Sequence, residues 1–574
     1  MSAGLHLLVL FLFIQFSAFF CYWLLNWREQ KMIGRFLFNK YRGAKEKFIA
    51  LYARPDSDFL RFNLDLSILI AVSLVFLPLA ANGYWIFFNK LILFFAYFYI
   101  IYLAVIFFVF KRVPSLKSDL EFAKIGMMVA KDKVIFFILI IVVVLIGLWL
   151  LSDYLISSFY FLLKNTQIKW PLYAGLVISL LLGFYKLLSY PYDKSHLRTA
   201  YSPILHFIKN LKYSKRYDHI YEKKASFFEN LNQYHSLKLE QSPNIIIVAV
   251  ESYGAVILQS DYFKTHFEKT LTELEESIEG KQWHMQSIFS EAPIFAGGSW
   301  LCYSSFLYGI PIKDIALYNV LFKNHKAFEK YDSLLHYLKQ NGYQNNLLTP
   351  IGGYDKSIDW DMIEKAYQYD KFYGFNELDY QGKTLSFIKL GKVAPDEYAI
   401  NYSYEKIKEQ GIQPFSLFFS TLNSHCFFDT PIHTKEDWKD YQKEPFESTG
   451  ESKDKLEEKY KLAIDYQINF LKNFIVKQDP ENTIFILFGD HQPPFVAKKE
   501  NGNHTLLHVL SKNNTFAESF KKHGFSSSIQ ELIKKKNTIK HEAFYSMFMQ
   551  ELSNNYGLNK DVQFKIYKEG IDLN

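Results

Sequence analysis

The sequence is poor in cysteine: Cys21, Cys302 and Cys426 are the whole complement among 574 residues. This excludes a disulfide-stapled scaffold and a cysteine-rich zinc module, and leaves room for one internal disulfide at most. A dominant charge is missing too. Charged residues make up 21% and the net charge is +7, too balanced for disorder by self-repulsion and too small for a nucleic-acid footprint. There is no internal repeat, low-complexity tract, collagen pattern or coiled-coil pattern. Apolar and aromatic residues are abundant instead, at 49% and 18%, yet the mean hydropathy is −0.05. Such values average over two unlike parts, and the length itself exceeds one ordinary domain.

The first part reads as membrane. Residues 7–26 carry no charge and are long enough to cross a hydrocarbon core of about 30 Å. A basic n-region and a small-residue cleavage site are lacking, so a retained helix is expected rather than a signal peptide. Further apolar runs lie at 68–88, 91–110, 134–152 and 170–190, the last interrupted by Lys186. One such run can be a buried core helix; four or five in a row predict a transmembrane bundle.

Charge placement constrains its orientation. Segment 27–66 holds nine basic residues from Arg28 to Arg61, and 111–133 holds six from Lys111 to Lys133, so both read as cytoplasmic. The loops at 89–90 and 153–169 offer only Lys90, Lys164 and Lys169 and read as external, like the uncharged N-terminus. Five crossings then leave the C-terminal part inside. Four, with the Lys186 segment re-entrant or interfacial, leave it outside.

From about residue 191 the sequence turns mixed and polar, beginning with a basic, aromatic stretch from Tyr190 to Lys224 that suits either a membrane surface or a solvated linker. Apolar runs then alternate with helical patterns. The runs are 244–250, 343–349, 415–421 and 482–488; helices are expected near 328–341 and 455–477. This pattern predicts a mostly parallel sheet covered by helices on both faces. In such sheets, function gathers just past the carboxyl ends of the strands.

Three places answer that rule. Glu251 directly follows NIIIVAV and precedes Ser252-Tyr253-Gly254; Asn423-Ser424-His425 comes just after FSLFFST; Gly489-Asp490-His491 comes at the end of NTIFILF. Singly, a strand-end carboxylate is usually a cap and a lone histidine usually structural. Three on one sheet edge read better as ligands, and Asp-His sets an oxygen beside a nitrogen as zinc or manganese accepts. A nucleophile is offered by Ala296-Gly297-Gly298-Ser299-Trp300, where two glycines precede a helix start. Free N–H groups there favour an anion; the bland alternative is an ordinary N-cap serine.

Together, Glu-Ser-Tyr-Gly, Gly-Gly-Ser-Trp, Asn-Ser-His and Gly-Asp-His-Gln-Pro-Pro resemble the alkaline phosphatase superfamily over residues 240–555. The likeness is to its sulfatase-like membrane branch, which includes lipoteichoic acid synthase and phosphoglycerol and phosphoethanolamine transferases. The resemblance implies an N-terminal transmembrane helical bundle (1–190), a juxtamembrane linker (191–240) and a C-terminal α/β sulfatase-like domain with a mostly parallel central sheet (241–574). It implies that Glu251, Ser299, Asp490 and His491 bind one catalytic divalent metal, zinc, manganese or magnesium, with Ser299 as nucleophile. His425 is then the residue that holds the transferred group or assists the leaving oxygen, and Trp360 and His504 are further substrate contacts.

Three departures qualify the likeness. Sulfatases carry Cys/Ser-x-Pro-x-Arg for formylglycine, whereas Ser299 is followed by Trp300-Leu301-Cys302-Tyr303, which disfavours sulfate-ester hydrolysis. The substrate-contacting Trp-Asn-Arg-Asp stretch of lipoteichoic acid synthase falls on Ile358-Asp359-Trp360-Asp361, with Trp360 in the arginine's place. Asp429 and His433 have the spacing of a second metal site, or of a loop pair without one.

The expected activity is transfer of a phospholipid head group, through a phosphoserine, to a glycan or lipid acceptor, on a catalytic domain outside the cytoplasmic membrane. A phosphodiesterase or phosphatase using the same residues, and a degenerate binding protein, are the alternatives. Cys302, one turn beyond Ser299, and Cys426, next to His425, are expected to be neighbours, either bridged or as two buried thiols.

Overall fold

The computed structural model describes residues 3–25, 62–112, 114–129, 134–167, 169–187, 202–223, 225–322, 331–352, 360–386 and 391–573. The chain divides into two compact units, Met1–Arg216 and Tyr217–Asn574.

Among the described residues of the first unit, three helices are long and apolar enough to cross a membrane: Gly4–Tyr22, Gly83–Phe110 and Ile135–Asn165. Leu7, Phe11, Ile14 and Ala18 recur every three or four residues and form one buried stripe. It belongs to the same core as Leu93, Tyr97 and Ile100 of the second helix and Leu155 and Phe159 of the third. Residues 135–144 are exposed throughout, including Ile135, Phe136, Ile141 and Val143. So long an apolar surface belongs in lipid rather than water.

The count of four or five spans is not carried by these helices. The run 68–88 is broken into a helix Leu64–Val75, a short 3₁₀ turn Leu77–Ala81 and the start of the next helix. Pro78 withholds an N–H, and the Asn82 side chain accepts from the Trp85 N–H to cap a new helix. Twelve residues of helix reach only about 18 Å. Conversely, Asn89-Lys90 is no loop: both lie inside Gly83–Phe110, where Asn89 donates to the Trp85 carbonyl and Lys90 pairs with Asp153 at 2.7 Å. The final helix, Trp170–Leu187, has an apolar part of Trp170–Leu181, also short for a span. In the stretch read as a linker, helix Pro203–Ser214 packs into this first unit, its buried His206 bonded to Tyr99 and its N-cap Ser202 to Asp65.

Among its described residues the second unit has eleven strands: β1 (Asn244–Val250), β2 (His284–Glu291), β3 (Gln344–Leu348), β4 (Ile351–Gly352), β5 (Lys371–Tyr373), β6 (Leu385–Ser386), β7 (Lys392–Val393), β8 (Phe415–Ser420), β9 (Thr483–Gly489), β10 (His504–Ser511) and β11 (Thr538–Lys540). Eight form one sheet in the order β11-β2-β10-β9-β1-β8-β3-β5, and β4-β7-β6 form a small second sheet. In the large sheet β10 runs antiparallel to both neighbours and the other pairs are parallel. The four apolar runs are β1, β3, β8 and β9, as their lack of polar alternation predicts.

Both faces of β1 are buried. Ile246, Val248 and Val250 join a core with Phe267 and Leu271 of helix Lys264–Glu279 and Tyr460, Ile464 and Leu471 of helix Leu456–Gln478. Side chains alternate along a strand, so Phe488 of β9 faces the other way. There it stacks at 3.9 Å on Phe306 of helix Ser299–Tyr308, and Phe306 stacks at 4.6 Å on Phe544 of helix His541–Tyr556. The central strand is thus clamped from both sides, and its carboxyl end is held in a fixed place.

Candidate metal centre

Register alone brings the first two acidic residues together. Val250 lies opposite Gly489, so Glu251 and Asp490 lie side by side past the sheet's carboxyl edge; Ala249 lies opposite Ser420, which sets Thr421 one position behind them. Glu251, Asp490 and His491 are all buried, and each offers one ligand atom within 4.8 Å of the others.

Short contacts lock this row. The Glu251 N–H donates to Thr421 Oγ1 at 2.9 Å, and Ser424 Oγ donates to the Glu251 carbonyl at 2.6 Å. Ser252 sits in the left-handed region (φ 57°), rare for a residue with a side chain. That twist turns its N–H onto Asp490 Oδ1 (2.8 Å) and its hydroxyl onto Glu251 Oε1 (2.9 Å), so one residue orients both carboxylates. The His491 N–H also donates to Asp490 Oδ1, at 2.7 Å. Gly489 is required where β9 ends, because a Cβ would lie 2.0 Å from the Tyr253 carbonyl oxygen.

Ser299 joins this cluster. Gly297 and Gly298 take positive φ (71° and 89°), reversing the chain so that the helix begins at Ser299. The serine is not an N-cap: Gly298 holds that position and no side-chain capping bond is made. Its Oγ donates to Glu251 Oε2 at 3.0 Å and lies 3.2 Å from His491 Nε2.

Two acids share this buried space with one imidazole, His491, whose Nε2 lies 3.7 Å from Glu251 Oε1 and 3.5 Å from Asp490 Oδ2. Asp490 is wholly buried, its Oδ2 has no hydrogen-bond partner, and among the described residues no lysine or arginine pairs with it or with Glu251. Burial, and then the neighbouring Glu251, push the Asp490 pKa up to about 7. Burial pushes the His491 pKa down, but Asp490 and Glu251 outweigh it and the net shift is upward. Two carboxylates, an imidazole nitrogen and a hydroxyl, with one oxygen left unpaired, are the donor set of a divalent cation, and the residues present fit one.

His425 stands on the turn after β8, and burial lowers its pKa to about 4, so it is neutral. Its Nδ1 bonds the Cys426 carbonyl at 2.7 Å, which puts the proton on Nδ1. The turn is held by a residue that sequence reading missed. Asp396 accepts from the Asn423 and Leu422 N–H groups and from Gln467, while Asn423 Oδ1 accepts from the Asp396 N–H. His541 was missed as well. Wholly buried, it donates from Nε2 to the carbonyl of Gly489 (3.1 Å) and accepts from Ser290 at Nδ1 (2.7 Å), bracing the residue before Asp490. Nothing in the sequence marks these partners beyond the polar residues themselves, because each acts on a segment far along the chain.

Other candidates stand apart. His504 begins β10 and bonds the Asn501 carbonyl through Nδ1; it is not in the three-residue cluster. Trp360 starts helix Trp360–Tyr367; its side chain, like Ile358 and Asp359, lies outside the described residues. Asp429 accepts from the Gly450 N–H, and His433 lines a surface groove with His266 and Asp465. Among the described residues, Glu251, Asp490 and His491 are the one metal-type group of three, so the Asp429/His433 spacing builds no second centre there. Cys302 and Cys426 are both buried free thiols, and no bridge is formed.

Residues 243–512 match the family model described as Sulfatase. No curated protein matches the chain. Among solved structures, the lipooligosaccharide phosphoethanolamine transferase A of Neisseria meningitidis, an integral membrane protein, is similar at 14% identity over 95% of each chain, with a TM-score of 0.45. The lipoteichoic acid synthase LtaP of Listeria monocytogenes is similar at 16% identity over 50% of this chain and 71% of that one, TM-score 0.35. The phosphoglycerol transferase GacH of Streptococcus pyogenes, in complex with sn-glycerol-1-phosphate, is similar at 13% identity over 59% and 84%, TM-score 0.34.

Proposed function

We propose that the sulfatase-family domain at residues 243–512 is the catalytic part of a membrane-anchored, metal-dependent phosphotransferase. It moves a phospholipid-derived head group, of phosphoglycerol or phosphoethanolamine type, through a phosphoserine to a glycan or lipid acceptor. The observation that carries this reading is the placement of Ser299 Oγ, at a helix start, 3.0 Å from Glu251 and 3.2 Å from His491. A structural serine has no need of such company.

The parts have distinct tasks. Glu251, Asp490, His491 and Ser299 would hold a divalent cation, which would supply the positive charge that acidifies the serine hydroxyl and offsets charge on a phosphoryl oxygen. Glu251 Oε2 accepts the Ser299 hydroxyl and aims the oxygen. The Ser299 Oγ–P bond forms, the bond from phosphorus to the lipid alcohol breaks, and diacylglycerol leaves with the proton. In the second step an acceptor hydroxyl attacks phosphorus and Ser299 is released. His425, neutral and protonated on Nδ1, presents Nε2 as the nitrogen that relays the proton of the entering or leaving alcohol. On this reading Trp360 and His504 remain candidate head-group contacts outside the metal-ligand cluster; an aromatic in place of an arginine favours a small or cationic head group over a second phosphate.

The test is the mass of Ser299. Protein incubated with phosphatidylethanolamine or phosphatidylglycerol and quenched in acid is expected to carry phosphoethanolamine or phosphoglycerol on that residue. Turnover without any adduct overturns the covalent route in favour of direct hydrolysis.

The reading places the second unit outside the cytoplasmic membrane, where a glycan acceptor is available. A membrane-impermeant thiol reagent should label Leu558→Cys, an exposed position, in intact cells. Labelling only after the membrane is opened overturns that placement.

A further inference from the structure

Few large apolar side chains are exposed on the second unit. Among its described residues they are Tyr262, Ile412, Phe427, Phe495 and Leu558. Two of the five belong to the segments that carry the site: Phe427 is two residues past His425, and Phe495 four past His491. They also meet. Phe427 is 63% exposed and Phe495 36%, and their rings lie parallel within 8°, centroids 6.5 Å apart.

Neither ring is loosely placed. Phe428, in the left-handed region at φ 62°, is fully buried and packs on Tyr460 at 5.2 Å. Tyr460 in turn donates to the carbonyl of Ser252, the residue that orients both metal-ligand carboxylates. Phe427 is therefore pinned outward by the same stack that sets the site. Phe495 follows Pro493-Pro494 and itself holds φ 65°, an outlier for so bulky a side chain. Strain spent on presenting an apolar ring to solvent points to function.

We infer that Phe427 and Phe495 form the subsite for the diacylglycerol end of the donor lipid, an assignment that rests on the reading of Ser299 as the phosphoryl acceptor. When the phosphorus of a phospholipid reaches Ser299, its head group enters and the glycerol ester carbons and first methylenes remain at the mouth. They need apolar contact there. A phenylalanine ring gives acyl methylenes full contact but offers a sugar hydroxyl no hydrogen bond; this chain uses 40 tyrosines, and neither position carries one. Lys498, exposed three residues beyond Phe495 in the chain, adds a cation to the same segment, which suits a phospholipid surface.

The experiment uses the full-length chain in detergent, with phosphatidylethanolamine and phosphatidylglycerol as donors beside their deacylated glycerophospho counterparts. In Phe427→Ser/Phe495→Ser the ratio of kcat/KM for lipid to that for deacylated donor is expected to fall about tenfold or more, through the lipid KM, as the loss of two aromatic contacts implies. An unchanged ratio overturns the subsite. A second readout needs no activity. With p-benzoylphenylalanine in place of Phe427, irradiation of the full chain in vesicles of the same two lipids should yield a phospholipid adduct at that position and none at Tyr262 replaced likewise. A protein crosslink instead, no adduct, or equal adducts at both positions, overturns the inference even where Ser299 proves not to be a nucleophile. An adduct at 427 alone, in a chain that transfers nothing, upholds the lipid subsite and fails the transfer reading.

Discussion

Ser299→Ala is expected to lower turnover of a phospholipid donor by about three orders of magnitude or more, the scale on which nucleophile deletions act. It should leave the fold and most of the bound cation in place. The fold survives because the Ser299 hydroxyl caps nothing: the helix start is shaped by Gly297 and Gly298, and the oxygen bonds Glu251 and lies beside His491. The cation survives because Glu251, Asp490 and His491 remain clustered without it. Metal content by plasma mass spectrometry, thermal unfolding and donor-product release on one preparation check the three parts together. Turnover near wild type, with metal retained, would mean that water attacks the donor directly and that the serine is a bystander.

The parts of this site that sequence reading reached were those that depend on strand ends. β1, β8 and β9 are buried on both faces, so their runs are largely apolar, and the candidate site residues Glu251, His425 and Asp490 lie within a few positions of where those runs end. β2 and β10 were not legible, because polar residues interrupt the apolar ones at buried positions. Ser287 and His508 face each other across the two strands and bond at 2.7 Å, with Tyr253 closing the network at 3.1 Å. A polar residue whose partner is more than two hundred positions away looks like surface until the pairing is known. The break inside the apolar run 68–88 was hidden for a related reason. Hydropathy sums over 68–88 without registering the break at Pro78 and Asn82, and it reads Lys90 as a boundary although Lys90 lies inside a helix and pairs with Asp153 of the helix Val134–Asn165. Asp396 and His541 repeat the lesson at the site: each braces a backbone segment far from it along the chain, so their importance lies in the fold.

Asp490→Asn is expected to remove the cation and, with it, activity, while making the metal-free protein more stable. Asparagine keeps an oxygen for the N–H groups of Ser252 and His491, which bond Asp490 Oδ1, so the local geometry holds. It replaces the unpartnered Oδ2 with an amide nitrogen that donates and cannot ligate. Cation affinity should therefore fall at least about a hundredfold, beyond what removing an outer-sphere partner of a ligand costs. The gain in stability follows from linkage. In the metal-free wild type, the Asp490 pKa rises from the ordinary 3.8 to about 7 because burial and Glu251 oppose its charge. A raised pKa gives stability that is complete below about pH 4 and is lost as the pH climbs through about 7. His491, also shifted upward, adds a loss of the same sign. Chelated wild type should thus unfold at progressively lower temperature from pH 5 to pH 8. Zinc or manganese should reverse that slope, since the ligands must be deprotonated to bind. In Asp490→Asn the chelated slope should flatten, leaving only the His491 part, and added cation should do little. Thermal unfolding in detergent at four pH values, with chelator and with metal, measures all of this. Equal or lower stability of the chelated variant at pH 8, or full stabilisation of the variant by zinc, would show that Asp490 is neither the strained carboxylate nor the ligand described here.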